Sequence, residues 1–600
     1  MKKLLYFAMA LGLVACQAEK VDVNDGLEAG DAVSNYLHVS LVSNAATRAV
    51  EDAGNYDDGS KYEENKVNNV RFYFFNGNAP FVVADGRSYS NHVMTGNGKD
   101  IPNVERILDA TIVIDTRNGD NVYPTSVVAI LNPTAAVVEK NYALDELSAV
   151  IAQVPLDASA GFVMSNSVYY DDATKKVVIA APVTAENLAT TEEAAKDHPV
   201  TIYVERTVAK VGLEVNAAKI DIDTDIYDTG IKYTNVAGEE KSIYVNFLGW
   251  NVTGAADRSN LLKSINEAWP ANLFKTGANG TDEPWNYAPY HRSFWAINPD
   301  GLGYLYDNFN AAKAKTFDQT AYVRENAAQN TAGDNNSIHT QVIIAGQLVD
   351  DSADHNPLEV AELAGVKYYG ANGEAEAALK MAYANFGGVY KYKVTTDGSG
   401  SNTEVKKIEP EDLKIVTVSS FNDNGQVDST KQGRYYVYAK LAADAGEGYD
   451  GWTKNPNADT FNAATDAIDT DEVEEHVHSW GHAKVWKGGY TYYYFDIRHL
   501  ANPSILAEKP ELGDEDYESK MAAYKLALAE AEATPGYYGV VRNHVYKCNV
   551  KSIFGLGTPV YEPGETIYPE HPEDEDTIIA AEIRILSWRI VSNDYDLNWE

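Results

Sequence analysis

Apolar and polar residues alternate along much of this chain, the mark of strands buried on one face. Tyr36-Leu37-His38-Val39-Ser40-Leu41-Val42 puts Leu37, Val39 and Leu41 on one side and His38 and Ser40 on the other. Val70 to Phe75 leads into Asn76-Gly77-Asn78, a strand followed by a turn. Further strands are predicted over 110–115, 127–131, 200–204, 208–215, 242–252, 389–394, 415–418, 435–441, 490–497 and 539–550. Helical composition is confined to 374–384 and 514–533, both rich in Ala, Glu, Leu and Lys. The second lies between two strand stretches and reads as a loop insertion. Many short strands at irregular spacing, with long polar loops, predict an all-β fold with minor helical insertions, arranged as two β-sandwich domains.

The charged run Lys219-Ile220-Asp221-Ile222-Asp223-Thr224-Asp225 follows a strand and marks a boundary. It divides the body into a smaller N-terminal domain, 49–215, and a larger one, 216–576, with insertions over 255–345, 350–385 and 443–485. Pro563 to Asp576 is a Pro- and acid-rich linker. Beyond it, 577–600 opens with a strongly β-prone apolar run. On a strand, Ile583 and Ile585 fall on one face and Leu586, Trp588 and Ile590 on the other. Left exposed, such a segment is an aggregation hazard. It is the last strand of its own domain, or part of it adds to a sheet of another subunit.

The N-terminus carries an address. Lys2 and Lys3 precede an apolar run from Leu4 to Val14 that is too short to span a bilayer. Residues 1–16 end in Leu13-Val14-Ala15-Cys16, which resembles a bacterial lipobox and implies cleavage before Cys16 and acylation of that cysteine. The propeptide segment 17–48 is a polar, acidic tether followed by the strand around Leu37. After it, Asn44-Ala45-Ala46-Thr47-Arg48-Ala49 is small and polar with a single basic residue. An exposed segment of that kind suits an Arg-specific protease cutting between Arg48 and Ala49.

Composition narrows the partners. Lys plus Arg number 49 and Asp plus Glu 88, a net charge of −39 over 600 residues. A surface that acidic repels phosphate backbones and anionic lipid head groups. Two cysteines, Cys16 and Cys548, exclude a disulfide scaffold and a cysteine-rich metal site. Forty tyrosines against 16 phenylalanines suit half-buried strand faces.

No catalytic constellation emerges. Asp221, Asp223 and Asp225 begin like a calcium loop, but Ile226 and Lys232 stand where Gly and Glu are required. His476, His478 and His482 have ligand-like spacing in a polar stretch that reads as a solvated loop. Gly96-Asn97-Gly98-Lys99 lacks the first glycine of a phosphate loop, and no G-x-S-x-G or H-E-x-x-H occurs. Cys548 reads as a buried small hydrophobe. The expectation is a non-enzymatic protein with no metal and no cofactor.

Several segments together resemble the type V pilus fimbrillins, in particular the major subunit of the minor, short fimbriae. They are the Leu13–Cys16 lipobox, Thr47-Arg48-Ala49, Tyr203-Val204-Glu205-Arg206-Thr207-Val208-Ala209-Lys210-Val211, Phe247-Leu248-Gly249-Trp250, Tyr538-Gly539-Val540-Val541-Arg542-Asn543-His544-Val545-Tyr546, and Ile585-Leu586-Ser587-Trp588-Arg589. The resemblance implies transthyretin-like β-sandwich domains and a polymer subunit. It implies export as an outer-membrane lipoprotein and cleavage after Arg48. The first strand (Leu37, Val39, Leu41) then leaves, and the donor strand of another copy, carrying some of Ile583, Ile585, Leu586, Trp588 and Ile590, takes its place. The implied partners are other copies of the chain, accessory anchor and tip subunits, an Arg-specific protease, and host or bacterial surface receptors. Nucleic acid is excluded, and the membrane is touched only through the precursor lipid. The competing readings are a non-polymerising surface lipoprotein that stacks Trp269, Trp285, Trp295 or Trp452 on glycans or host protein, and an anchor or tip subunit of the same pilus.

Overall fold

The computed structural model describes residues 33–43, 56–57, 64, 66–81, 90–92, 95–96, 106–116, 123–137, 140–171, 176–215, 220–221, 226–235, 237–264, 297–327, 338–386, 388–418, 436–442, 451–454, 477, 479–499, 515–532, 538–567 and 578–588. These residues are mostly strand, with a few short helices. They divide into two compact units, one drawn from 1–208, 258–299 and 586–593 and the other from 209–257, 300–585 and 594–600. The division at Val208/Ala209 precedes the 215/216 boundary suggested by the charged run. The strand between those two positions pairs with residues 545–550 and so joins the second unit.

The first unit is organised by one large sheet. Its main strands are β1 (Val33–Ser43), β2 (Val70–Asn76), β3 (Arg106–Thr116), β4 (Ser126–Leu131), β5 (Met164–Asn166) and β6 (Val200–Arg206). Their order across the sheet is β2-β4-β5-β6-β1-β3. Every second residue contributes to one buried cluster: Leu37 and Val39; Val70, Phe72 and Phe74; Val127, Ala129 and Leu131; Val200, Ile202 and Val204. The period of two is that of a pleated strand. Tyr73 and Phe75 on the opposite face are buried as well, and Tyr73 meets Tyr142 edge-on at 5.7 Å.

The second unit holds β7 (Val208–Val215), β8 (Ile226–Thr234), β9 (Glu240–Thr253), β10 (Thr320–Arg324), β11 (Gln341–Val349), β12 (Glu359–Leu363), β13 (Val366–Gly370), α1 (Glu374–Asn385), β14 (Val389–Asp397), β15 (Gly400–Lys407), β16 (Leu413–Val418), β17 (Tyr436–Leu441), β18 (Ala483–Trp486), β19 (Tyr490–Asp496), α2 (Tyr517–Glu532), β20 (His544–Phe554) and most of β21 (Ile578–Trp588), whose residues from Leu586 on belong to the first unit. One sheet runs β21-β20-β7-β10, with β7 and β20 parallel; another runs β8-β9-β11-β19. Val211, Leu213, Tyr546 and Cys548 from the first share a buried cluster with Val245, Trp250, Val342, Ile344 and Tyr493 from the second. Two sheets closing over one apolar layer are a β-sandwich. A third sheet, β13-β12-β18-β17-β16, packs against α1. The β14–β15 hairpin adds residues 451–454 as a third strand.

Most predicted strands are present, and the two helices lie at Glu374–Asn385 and Tyr517–Glu532. Three differences are instructive. The stretches read as insertions hold sheet strands. The one over 255–345 ends inside β11, a central strand buried on both faces, whose apolar run Val342-Ile343-Ile344-Ala345 hides the period of two. The one over 350–385 contains β12, β13 and α1. Finally, the strand expected over 539–550 begins only at His544, because the chain first turns through Asn543 at φ 61°.

Candidate functional site

The feature with functional geometry is the place occupied by β1. It lies inside the first sheet, not at its edge. All 11 of its residues pair antiparallel with β3, from Val33 opposite Thr116 to Ser43 opposite Arg106. Its other side pairs in parallel with β6, from Val39 beside Val200 to Ser43 beside Val204. Just before that, Tyr36 and Leu37 pair with Ala189 and Leu188. Leu37 and Val39 are completely shielded from solvent. Leu41 holds the matching backbone position, opposite Leu108 and beside Ile202. The slot is therefore walled by two strands that come later in the chain. Full burial of each aliphatic side chain stabilises by about 1.5–3 kcal/mol, and an empty slot would orphan a row of backbone donors and acceptors.

Two of the quoted segments are buried polar junctions, a role the pattern analysis did not foresee. Glu205, at 2% exposure, receives Lys263 Nζ at 2.9 Å and the Ser167 hydroxyl at 2.6 Å. Its neighbour Arg206 donates Nε to the Glu64 carbonyl at 3.1 Å. In the other segment, fully buried Arg542 donates Nε to Glu325 Oε2 at 2.8 Å and Nη2 to the same oxygen at 2.7 Å. Its backbone N–H reaches Glu325 Oε1 at 3.2 Å. The available signal was the presence of Glu-Arg and Arg-Asn-His inside otherwise apolar runs. The glycine of Phe247-Leu248-Gly249-Trp250 also acquires a reason. It sits at a bulge in β9 with φ 141°, where a Cβ would lie 2.8 Å from the Lys315 carbonyl.

The C-terminal candidates Ile583, Ile585, Leu586 and Trp588 all lie in β21, next to β20 in the chain's own sheet. Ser587 and Trp588 also pair in parallel with Tyr56 and Asp57. Ile590 lies outside the described residues, as do Cys16, Arg48, Ala49, His476, His478, Trp269, Trp285 and Trp295. Trp452 pairs with Lys391 in the strand 451–454, and His482 lies 6.1 Å from the Tyr436 ring. Cys548 is buried, and burial pushes its thiol pKa far up. Among the described residues no cluster of three or more His, Cys, Asp or Glu could hold a metal ion. None of their helices is long and apolar enough to cross a membrane.

Residues 515–594 match the family described as "Major fimbrial subunit protein type IV, Fimbrillin, C-terminal". The match spans α2, Arg542 and β21. Among solved structures, a fimbrilin (FimA) from Porphyromonas gingivalis is 12% identical, with 93% of this chain and 98% of that chain covered at a TM-score of 0.31. A fimbrial assembly protein from Parabacteroides distasonis is 13% identical, covering 62% of this chain and 96% of its own at 0.25. The tip fimbrial protein Mfa3 from Porphyromonas gingivalis, with C-terminal truncation, is 12% identical, covering 62% and 100% at 0.24. A search of curated proteins returns no match.

Proposed function

We propose that this chain is a structural shaft subunit of a cell-surface fimbrium. It is exported as a lipoprotein acylated on Cys16, cut between Arg48 and Ala49, and polymerised by exchange of β1 for a strand from another copy. The observation that carries this reading is the interior position of β1, a segment that precedes Arg48 in the chain. The fimbrillin match at the C-terminal end supports it. Cleavage after Arg48 leaves β1 held by non-covalent contacts alone. Its departure opens the pockets of Leu37 and Val39 and unpairs the facing edges of β3 and β6. Buried polar groups without partners are costly, so the open slot favours a replacement strand.

That strand must run parallel to β6 and antiparallel to β3, with an apolar residue at every second position. In 577–600 three stretches have this spacing, Ile579/Ala581/Ile583/Ile585, Leu586/Trp588/Ile590 and Tyr595/Leu597/Trp599. A head-to-tail contact of this type need not close, so it propagates as a filament. The partners are further copies, anchor and tip subunits, the Arg-specific protease, and surface receptors reached by the finished fimbrium.

The test is mass spectrometry of protein sheared from cells, with electron microscopy of the same sample. A mature N-terminus at Ala49 in detergent-resistant ladders and filaments is expected. A monomeric chain still beginning at acylated Cys16 would overturn the shaft role.

A further inference from the structure

In the second unit, β14 and the turn before β16 bring one lysine and two carboxylates together. Lys391 Nζ lies 2.6 Å from Asp412 Oδ2 and 3.4 Å from Glu409 Oε2. The side chains of Lys391 and Asp412 are 5% and 9% exposed, whereas Glu409 is 53% exposed. Val389, Ile408 and Leu413, their close neighbours in the chain, belong to one buried apolar cluster. Asp412 is held in place from several sides. Its Oδ2 accepts the Glu409 backbone N–H at 2.9 Å, its carbonyl accepts the Ala442 N–H at 2.9 Å, and its own N–H donates to the Glu409 carbonyl at 3.0 Å.

We infer that Lys391 and Asp412 form an intramolecular amide, a covalent cross-link between β14 and the turn entering β16, with Glu409 carrying the proton. The step needs no outside reagent. A proton passes from the ammonium to the Asp412 carboxylate across the 2.6 Å contact. Nζ attacks Cγ, and the N–C bond forms. The Glu409 backbone N–H supports the oxygen on which charge develops. The Glu409 carboxylate takes a proton from nitrogen and returns it to the hydroxyl, the C–O bond breaks, and water leaves. One amine and one acid become one amide and one water. Fixed proximity of the reacting groups replaces chemical activation. The bond ties the β14–β15 hairpin to the sheet of β16, so a pulling force cannot separate them without breaking a covalent bond. This inference does not rest on the fimbrial reading.

Peptide mapping of the purified full chain by mass spectrometry tests it. The expected result is a branched peptide joining residues 391 and 412, lighter by one water than its two parts. Lys391→Arg abolishes it. Asp412→Asn restores the same branched peptide by losing ammonia in place of water. Glu409→Gln slows bond formation about a hundredfold or more while leaving the circular dichroism spectrum unchanged. Separate, unmodified peptides carrying Lys391 and Asp412 in the native chain overturn the cross-link, as does a water loss mapped to another pair such as Lys263 and Glu205. A bond that forms equally fast with Glu409→Gln overturns the assignment of Glu409.

Discussion

Val39 of β1 sits beside Val200 of β6 in parallel register, and both are buried. The two residues are far apart in sequence and are joined covalently only through residues 40–199, a stretch that includes Arg48, so a cut at Arg48 would leave β1 held to β6 by non-covalent contacts alone. The contact is therefore tight while β1 is in place and lost completely if β1 leaves.

Leu37→Ala measures that contact. Truncating a buried leucine leaves a cavity and costs about 2–5 kcal/mol. The uncut chain should lose that much in urea unfolding. Filaments assembled from chain cut at Arg48, in which β1 has been replaced, should be as stable as those of the unsubstituted protein. An equal loss in both forms would show that β1 stays in place after cutting.

The Arg542–Glu325 pair should behave as a buried ion pair with no solvent to absorb its loss. Arg542→Ala strands the Glu325 carboxylate and should cost about 3–5 kcal/mol. Arg542→Met combined with Glu325→Leu removes both charges and should recover most of that stability. A double-mutant cycle on chemical denaturation gives the coupling directly; additive single effects would contradict the pairing.

Glu376 on α1 gives the fold an acid-sensitive joint. Burial pushes its carboxyl pKa up, but hydrogen bonding to Lys380, the charges of Lys487 and Lys380, and the Tyr561 hydroxyl together bring it below the ordinary 4.5. A carboxylate whose folded pKa is depressed contributes stability that is fully present above the unfolded value and is lost as pH falls through the folded one. Stability should therefore drop as pH goes below 4.5, and Glu376→Gln should flatten that part of the profile. An unchanged slope in the variant would exclude Glu376 as a contributor.

Cys548 should be inert in the folded chain. It is fully buried and its thiol is held protonated, whereas alkylation requires the thiolate. Iodoacetamide should label it only in denaturant. Labelling under native conditions would mean that the β20 region opens readily.

Much of this architecture was legible because a strand exposed on one side writes its period into the chain. Leu37, Val39 and Leu41, or Val70, Phe72 and Phe74, announce their shared face without any knowledge of partners. The apolar run ending at Cys16 and the single arginine after the first strand are equally local. Strands buried on both faces, such as β11, carry no period and were absorbed into an apparent insertion. Charged residues inside apolar runs were visible, but Glu325, the partner of Arg542, lies 217 positions away along the chain, and Glu205 finds its partner only at Lys263.

The chain alone thus determines which residues favour strands and where the apolar run, Cys16 and Arg48 stand along it. It does not determine which strands become neighbours. Whether β1 lies at an edge or between β3 and β6, and whether Lys391 meets Asp412, depends on loop closure and on competition among many similar apolar strands for the same core. Those pairings are long-range, so only the tertiary structure decides them.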